Sequence, residues 1–257
     1  SILFSASYEG PTEIYTMPVQ GGMTQRWTYE SDASIANDWP DANTIVYATR
    51  AYNKKPDYRL VKVNIKDKTR AFVPLDQASE ATFSKNGKTV YFVRPAYHRN
   101  VTKRYKGGTA RQIWKYTEGS KEAIKLTTNY TGESHHPMFY NNRIYFLSDR
   151  DGIMNIWSID TNGKDLQQHT EHDVFDVRYA NVSNGIIVYQ KGADLWKYDI
   201  GKDQSSKINI RLTSDLDQLR EKWDNNPSRY ITNINVDKTG KKIVITARGR
   251  IFVAQIG

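Results

Sequence analysis

The sequence predicts an all-β fold, a β-propeller of four-stranded antiparallel blades with six blades in all, and three observations carry that prediction. The first is a repeat. Similar runs recur at Ile2-Leu3-Phe4, Ile45-Val46-Tyr47, Val90-Tyr91-Phe92, Ile144-Tyr145-Phe146, Ile187-Val188-Tyr189 and Ile243-Val244-Ile245, and their third residues lie 43, 45, 54, 43 and 56 positions apart. A period in the forties built from short strands is the mark of a propeller blade. The second is composition: aromatic residues make up 12% of the 257, 17 of them Tyr, which favours strands over helices. The third is the stretch from Arg143 to Asp160. There two alternating runs, Ile144 to Ser148 and Asn155 to Ile159, flank Asp149-Arg150-Asp151-Gly152. An Asp can cap its own turn and Gly supplies positive φ, so the stretch reads as a hairpin.

Each element follows from this template. The chain opens at a second strand, Ile2 to Ser5, so the first blade is expected without its inner strand, and Glu13-Ile14-Tyr15 supplies its third. The unit around Tyr91 shows the full order. Glu80 to Ser84 is the inner strand, Lys85-Asn86-Gly87-Lys88 the turn, the aligned run the second strand and Gln112-Ile113-Trp114-Lys115-Tyr116 the third. In the next unit Asn155-Ile156-Trp157 is followed by the turn Asp160-Thr161-Asn162-Gly163 and a short polar fourth strand from Leu166 to Thr170; Asp194 to Tyr198 repeats the third strand once more. A sheet apolar on both faces must be covered by its neighbours. The recurrent Trp114, Trp157 and Trp196 are therefore expected between blades rather than as stacking platforms for bases or sugars.

The two long intervals mark insertions, Pro95 to Ala110 and Ser214 to Arg229. The expected organisation is five repeats over residues 1–213, a linker or crossing over 214–229, and a last segment over 230–257. That segment offers strands at Ile231 to Val236, Ile243 to Thr246 and Arg250 to Ile256. It is read as a sixth blade completing the ring, with the opening of a second propeller as the alternative.

Little points to catalysis. Zero Cys excludes disulfides and thiolate chemistry, and no run of eighteen apolar residues could cross a membrane as a helix. The N-terminus reads as a strand, without a visible leader peptide. The net charge of +9 invites an anionic partner, but most Lys and Arg are scattered over strand faces and turns. No G-x-S-x-G elbow, H-E-x-x-H pair or phosphate-binding glycine loop is present. His135 and His136 lie beside Glu133, yet strand alternation sends neighbours to opposite faces; His169-x-x-His172 lacks further ligands. No metal and no cofactor are expected. The Asp149-x-Asp151-Gly152 and Asp160-x-Asn162-Gly163 turns lack the closing Glu of a calcium loop and read as capped turns.

One segment is unusual. From Arg94 to Arg111 the chain carries Arg94, Arg99, Lys103, Arg104, Lys106 and Arg111 with no acidic residue, interleaved with Tyr97, His98 and Tyr105. Such a cluster could line a channel, hold a carboxylate or dock an adjacent domain. Confined to one insertion, it lacks the broad basic face that a nucleic acid needs.

The run KRYKGGTARQIWKY, Lys103 to Tyr116, is similar to the K-x-Y-R-G-G-T-x-x-x-I-W segment of tricorn-type serine peptidases, with Lys106 where the family has Arg. The stretch from Arg143 to Asp160, then Asp176-Val177-Arg178 and Gly192-Ala193-Asp194-Leu195, resembles the following blades of the same proteins, so the likeness covers most of residues 80–200. It implies a non-catalytic propeller of a large cytoplasmic peptidase, or a periplasmic one if a leader was removed. Such enzymes assemble as hexamers and degrade oligopeptides through a Ser, His, Ser and Glu tetrad in their C-terminal half. The implied partners are oligopeptides, the other domains of the parent enzyme and further copies of it, with no nucleic acid and no membrane. The chain alone is expected to be inactive, serving as scaffold and peptide filter. The adjacent Arg pair that anchors substrate in the archetype has no counterpart, because no two Arg are neighbours here. The alternatives are a TolB-like protein-binding propeller and the gating propeller of a prolyl-oligopeptidase-like hydrolase.

Overall fold

A computed structural model describes residues 1–53, 57–95, 103–211, 213–214 and 217–256. The chain divides into two compact units, Ser1–Asn209 and Ile210–Gly257. The first holds five sheets, each an antiparallel meander. They are β1 (Ile2–Ala6), β2 (Glu13–Met17) and β3 (Gln25–Arg26); β4 (Ser34–Asp41), β5 (Thr44–Thr49), β6 (Arg59–Asn64) and β7 (Arg70–Phe72); β8 (Ser79–Phe83), β9 (Thr89–Arg94), β10 (Gln112–Thr117) and β11 (Ile124–Lys125); β12 (Ser134–Tyr140), β13 (Arg143–Ser148), β14 (Asn155–Asp160) and β15 (Gln167–Gln168); and β16 (Val177–Ser183), β17 (Ile186–Lys191), β18 (Asp194–Asp199) and β19 (Gln204–Lys207). The second unit holds a three-stranded meander, β20 (Ile231–Val236), β21 (Lys242–Ala247) and β22 (Arg250–Gln255), after two 3-10 turns, Asp217–Leu219 and Pro227–Tyr230. The fold is all-β, a propeller built of the repeating blades that the sequence predicts.

The repeat has a packing reason. The third residues of four of the six aligned runs, Tyr47, Phe92, Phe146 and Tyr189, are essentially fully buried, and those of the first and last runs, Phe4 and Ile245, are partly buried. Burying side chains of this size contributes roughly 2–3 kcal/mol each. The apolar clusters form between successive sheets: Ile14 meets Ile45 and Tyr47; Val46 and Leu60 meet Ala81 and Phe92; Tyr91 and Ile113 meet Ile144 and Phe146; Leu147 and Ile156 meet Val177 and Ile187. Trp114, Trp157 and Trp196 pack against these inter-blade clusters, as the sequence leads one to expect.

The innermost strands, β4, β8, β12 and β16, lie side by side from blade to blade. An innermost strand has no backbone ladder on its free edge, so its N–H groups need other acceptors. For β4, β8 and β12, side chains of the preceding blade supply several of them. Ser5 Oγ accepts from Ala36 N at 2.8 Å, Asn37 Oδ1 from Ala81 N at 2.6 Å, Asp38 Oδ2 from Phe83 N at 2.9 Å and Glu80 Oε2 from His136 N at 2.8 Å. Each of these strands carries a bulge, marked by register shifts at Ala36/Asp38, Ser79/Thr82, His135/Met138 and Arg178/Asn181. A bulge re-aims side chains that regular alternation would separate. β20 shifts register in the same way, between Ile231 and Asn233.

One outer strand is shorter than expected. The strand foreseen from Leu166 to Thr170 shrinks to Gln167–Gln168, because the Thr170 hydroxyl accepts the Ile156 N–H at 2.9 Å where a backbone carbonyl would otherwise continue the ladder.

Candidate functional site

Among the described residues, a cluster of titratable side chains forms where β8 meets β12. Glu80 sits in the bulge of β8 with φ of +44°, and His136 in the bulge of β12 with φ of +54°. The positive φ breaks the alternation, so His135 and His136 do not point to opposite faces as the sequence pattern suggests. Their Nδ1 atoms approach to 3.0 Å, and Glu80 Oε2 lies 3.3 Å from His135 Nδ1 and 3.2 Å from His136 Nδ1. The other carboxylate oxygen of Glu80 accepts Arg111 Nη1 at 2.9 Å, while Arg111 Nε donates to Glu133 Oε2 at 2.7 Å. Glu133 is positioned by the hairpin that follows: its N–H donates to Asp149 Oδ1 at 3.1 Å, and its carbonyl accepts Ser148 Oγ at 2.8 Å.

Burial sets the electrostatics. It works to raise the Glu80 carboxyl, but the neighbouring His136 and His135 outweigh it and hold the group well below the usual carboxylate range. His135 is pushed down to about 4, first by burial and then by the Arg111 charge, against the pull of Glu80. Glu80 is therefore ionised and His135 neutral at pH 7, a combination suited to binding a cation or ordering a donor rather than to nucleophilic chemistry.

The basic insertion is spread over several partners. Arg94 lies over the rings of Phe92 and Trp114, 5.3 and 5.2 Å from their centroids. Arg150 over Trp157 and Lys191 over Trp196 repeat this pairing in the next two blades, so Arg94 belongs to the repeat. Arg111 joins the buried cluster. Arg104 Nε donates to the Gly152 carbonyl at 2.8 Å, and Lys103 pairs with Asp176 at 2.9 Å, which ties the insertion to the following blade and to the segment leading into β16. Lys106 faces the Tyr130 ring. Together with Arg94, Gly107, Gly108, Gln112 and Trp114 it lines a cleft of about 570 Å³. Arg99, with Tyr97 and His98, lies outside the described residues.

The remaining sequence candidates resolve into structural roles. Both ring nitrogens of His169 meet hydroxyls, Ser158 at 2.7 Å and Tyr198 at 2.9 Å, whereas His172 turns to Tyr189 and Lys191. The Asp160 turn is capped as the sequence suggests, with Asp160 Oδ1 accepting the N–H groups of Asn162 and Lys164, whereas the Asp149 carboxylate leaves its own turn and accepts the Glu133 N–H and the Tyr130 hydroxyl.

The family model described as the tricorn protease N-terminal beta propeller domain matches residues 1–204. The chain belongs to the tricorn N-terminal propeller family. The tricorn protease homolog of Saccharolobus solfataricus is 28% identical over 255 residues, which are 98% of this chain and 23% of that protein. The tricorn protease of Thermoplasma acidophilum is 26% identical over 257 residues, 95% of this chain and 23% of that protein. The chain thus spans about a quarter of the length of these tricorn relatives. Among solved structures, tricorn protease superposes with a TM-score of 0.55 at 20% identity, covering 98% of this chain and 30% of the other. TolB from Acinetobacter baumannii gives 0.63 at 14% identity, covering 98% and 61%. These likenesses are ones of fold.

Two features of this tricorn-family chain escape sequence reasoning. The Glu80–His136 contact joins residues 56 positions apart, and only the bulges bring them together. The second is a buried Thr after three of the fourth strands. Thr28, Thr127 and Thr170 donate to Glu13, Gln112 and Asn155 respectively, and each hydroxyl accepts the N–H of the residue following its partner. A Thr at the same place in three repeats, paired with a polar residue opening the third strand, was the signal available.

Proposed function

We propose that this chain is the non-catalytic propeller of a serine peptidase that degrades oligopeptides, where it serves as scaffold and as a filter for peptides moving to or from a distant active site. The observation that carries this reading is the match to the tricorn propeller domain over residues 1–204, in a chain about a quarter as long as its relatives. The cleft beside Gly107 and Gly108 supports it, because Arg94 and Lys106 offer positive charge there to a peptide carboxylate. On this reading the partners are oligopeptides, the parent enzyme's own domains and the other copies of a hexamer, working in the cytoplasm.

The test has two arms. The isolated chain, incubated with a mixed fluorogenic peptide library, gives background turnover; hydrolysis that survives repurification overturns the non-catalytic assignment. The parent enzyme is then compared with and without the propeller on peptides of graded length. Loss of length discrimination with retained cleavage of the shortest peptides supports the filter, and an unchanged length profile removes it.

A further inference from the structure

We propose that Glu80, His135 and His136 form a binding site for a divalent transition-metal ion of the zinc type, clasping the innermost strands of two neighbouring blades. The inference goes beyond the peptidase reading and does not depend on it. Three donor atoms, Glu80 Oε2 and the two Nδ1 atoms, form a triangle with edges of 3.0, 3.2 and 3.3 Å. A tetrahedral ion bound at about 2.0–2.1 Å holds its donors roughly 3.3–3.4 Å apart, so the triangle is close to one face of such a site. Two imidazoles and a carboxylate are donors that zinc, cobalt and nickel accept.

Protons alone serve this triangle poorly. If both Nδ1 atoms carry hydrogen, two N–H groups confront each other across 3.0 Å. If only the His136 Nδ1 does, its proton can be shared with His135 and Glu80, but the His135 lone pair is left facing the carboxylate at 3.3 Å; the opposite tautomer leaves the His136 lone pair facing it at 3.2 Å. A cation at the centre satisfies all three edges. The local charge points the same way: with neutral imidazoles, Glu80, Glu133 and Arg111 sum to one negative charge, and Glu133 Oε1 is buried without a hydrogen-bond partner among the described residues. The supporting shell is in place, since Arg111 holds Glu80 by its second oxygen and the His136 N–H donates to Oε2. The His136 side chain is about a third exposed, which leaves a path for the ion and a fourth position for water.

The chelator-treated chain is titrated with Zn²⁺ by calorimetry and with Co²⁺ by visible absorption. One ion per chain is expected, with the d–d bands of a tetrahedral Co²⁺ site and a Zn²⁺-dependent rise in melting temperature. Glu80→Gln weakens binding at least tenfold. His136→Asn abolishes it, and Asn is chosen because it tolerates the positive φ at this position. His172→Gln, remote from the triangle, leaves it unchanged. Where a variant does not fold, nuclear magnetic resonance of the unmodified chain decides: Zn²⁺ shifts the ring signals of His135 and His136 and not those of His169 and His172. Absence of saturable binding, binding retained by a folded His136→Asn variant, or shifts confined to the other histidines overturns the proposal.

Discussion

Glu80 reaches from one blade to the next and accepts the backbone N–H of His136 at 2.8 Å. This contact joins two innermost strands that share no backbone ladder. It works because the Glu80 carboxylate is held from behind by Arg111, which also spans to Glu133 at 2.7 Å. A guanidinium can serve two carboxylates at once through its planar fork, which an ammonium cannot reproduce.

Arg111 therefore bears most of the cluster's charge balance. Replacing it with Met leaves two buried carboxylates facing each other, a loss of about 3–5 kcal/mol by analogy with broken buried pairs. Arg111→Lys recovers only part of it. Urea unfolding of the metal-free chain measures both; an Arg111→Met variant within about 0.5 kcal/mol of the original, the usual range of a neutral surface change, would show that the network does not hold the blades.

Asp38 should make stability depend on pH. Burial lifts its carboxyl to about 6, against hydrogen bonds from the Phe83 and Trp39 N–H groups and the Thr82 hydroxyl. The folded value lies above the unfolded one of 3.8, so the folded chain binds the proton more tightly. Stability from this group is therefore greatest below about pH 4 and declines as pH rises to about 6, by up to about 3 kcal/mol. Asp38→Asn shifts stability by a constant amount and removes that slope. Unfolding free energies at intervals between pH 4 and 6.5, taken as the difference between the two proteins, check it; a flat difference refutes the assignment.

The blades were legible because their signal is local. A second strand such as Ile144 to Ser148 announces itself by alternation, and the Asp149 to Gly152 turn by residue type. The site was not legible for the converse reason. His135 and His136 read as an alternating pair, and only a bulge with positive φ at His136 turns both rings toward Glu80. Arg94 shows the same limit from the other side. In sequence it belongs with the basic insertion, but in the fold it covers Trp114 as Arg150 covers Trp157. Charge clustering along a chain says little about which cations share a face.

Gly163, in the turn after β14, packs close against the preceding blade. Its φ is +79°, and an added Cβ would lie 2.7 Å from the Leu126 carbonyl oxygen. Gly163→Ala combines left-handed strain of roughly 1 kcal/mol with a backbone clash that a flexible side chain cannot relieve. Gly119 has φ of +83° and nothing within 4 Å of the added atom, so Gly119→Ala carries the strain alone. Thermal unfolding of the two variants separates the effects: Gly163→Ala melts clearly lower, and equal melting temperatures would mean that the turn moves away from Leu126 without loss.

The buried Thr positions give the sharpest test of how a blade is closed. Thr170 Oγ1 donates to Asn155 Oδ1 at 2.8 Å and accepts from Ile156 N at 2.9 Å, deep in the sheet. Thr170→Val keeps the shape and removes the hydroxyl, which strands one buried acceptor and one buried backbone donor. Each unmet group costs about 1–3 kcal/mol, although Asn155 Oδ1 retains the His172 N–H at 3.0 Å and so softens its share. A loss of about 2–4 kcal/mol is expected, with hydrogen exchange at the Ile156 amide accelerated out of proportion to the rest of β14. Thr128→Val, at an exposed neighbour of the equivalent Thr127, should change stability by less than about 0.5 kcal/mol. If Thr170→Val is equally mild and the Ile156 amide stays protected, the hydroxyl is not what ends the outer strand.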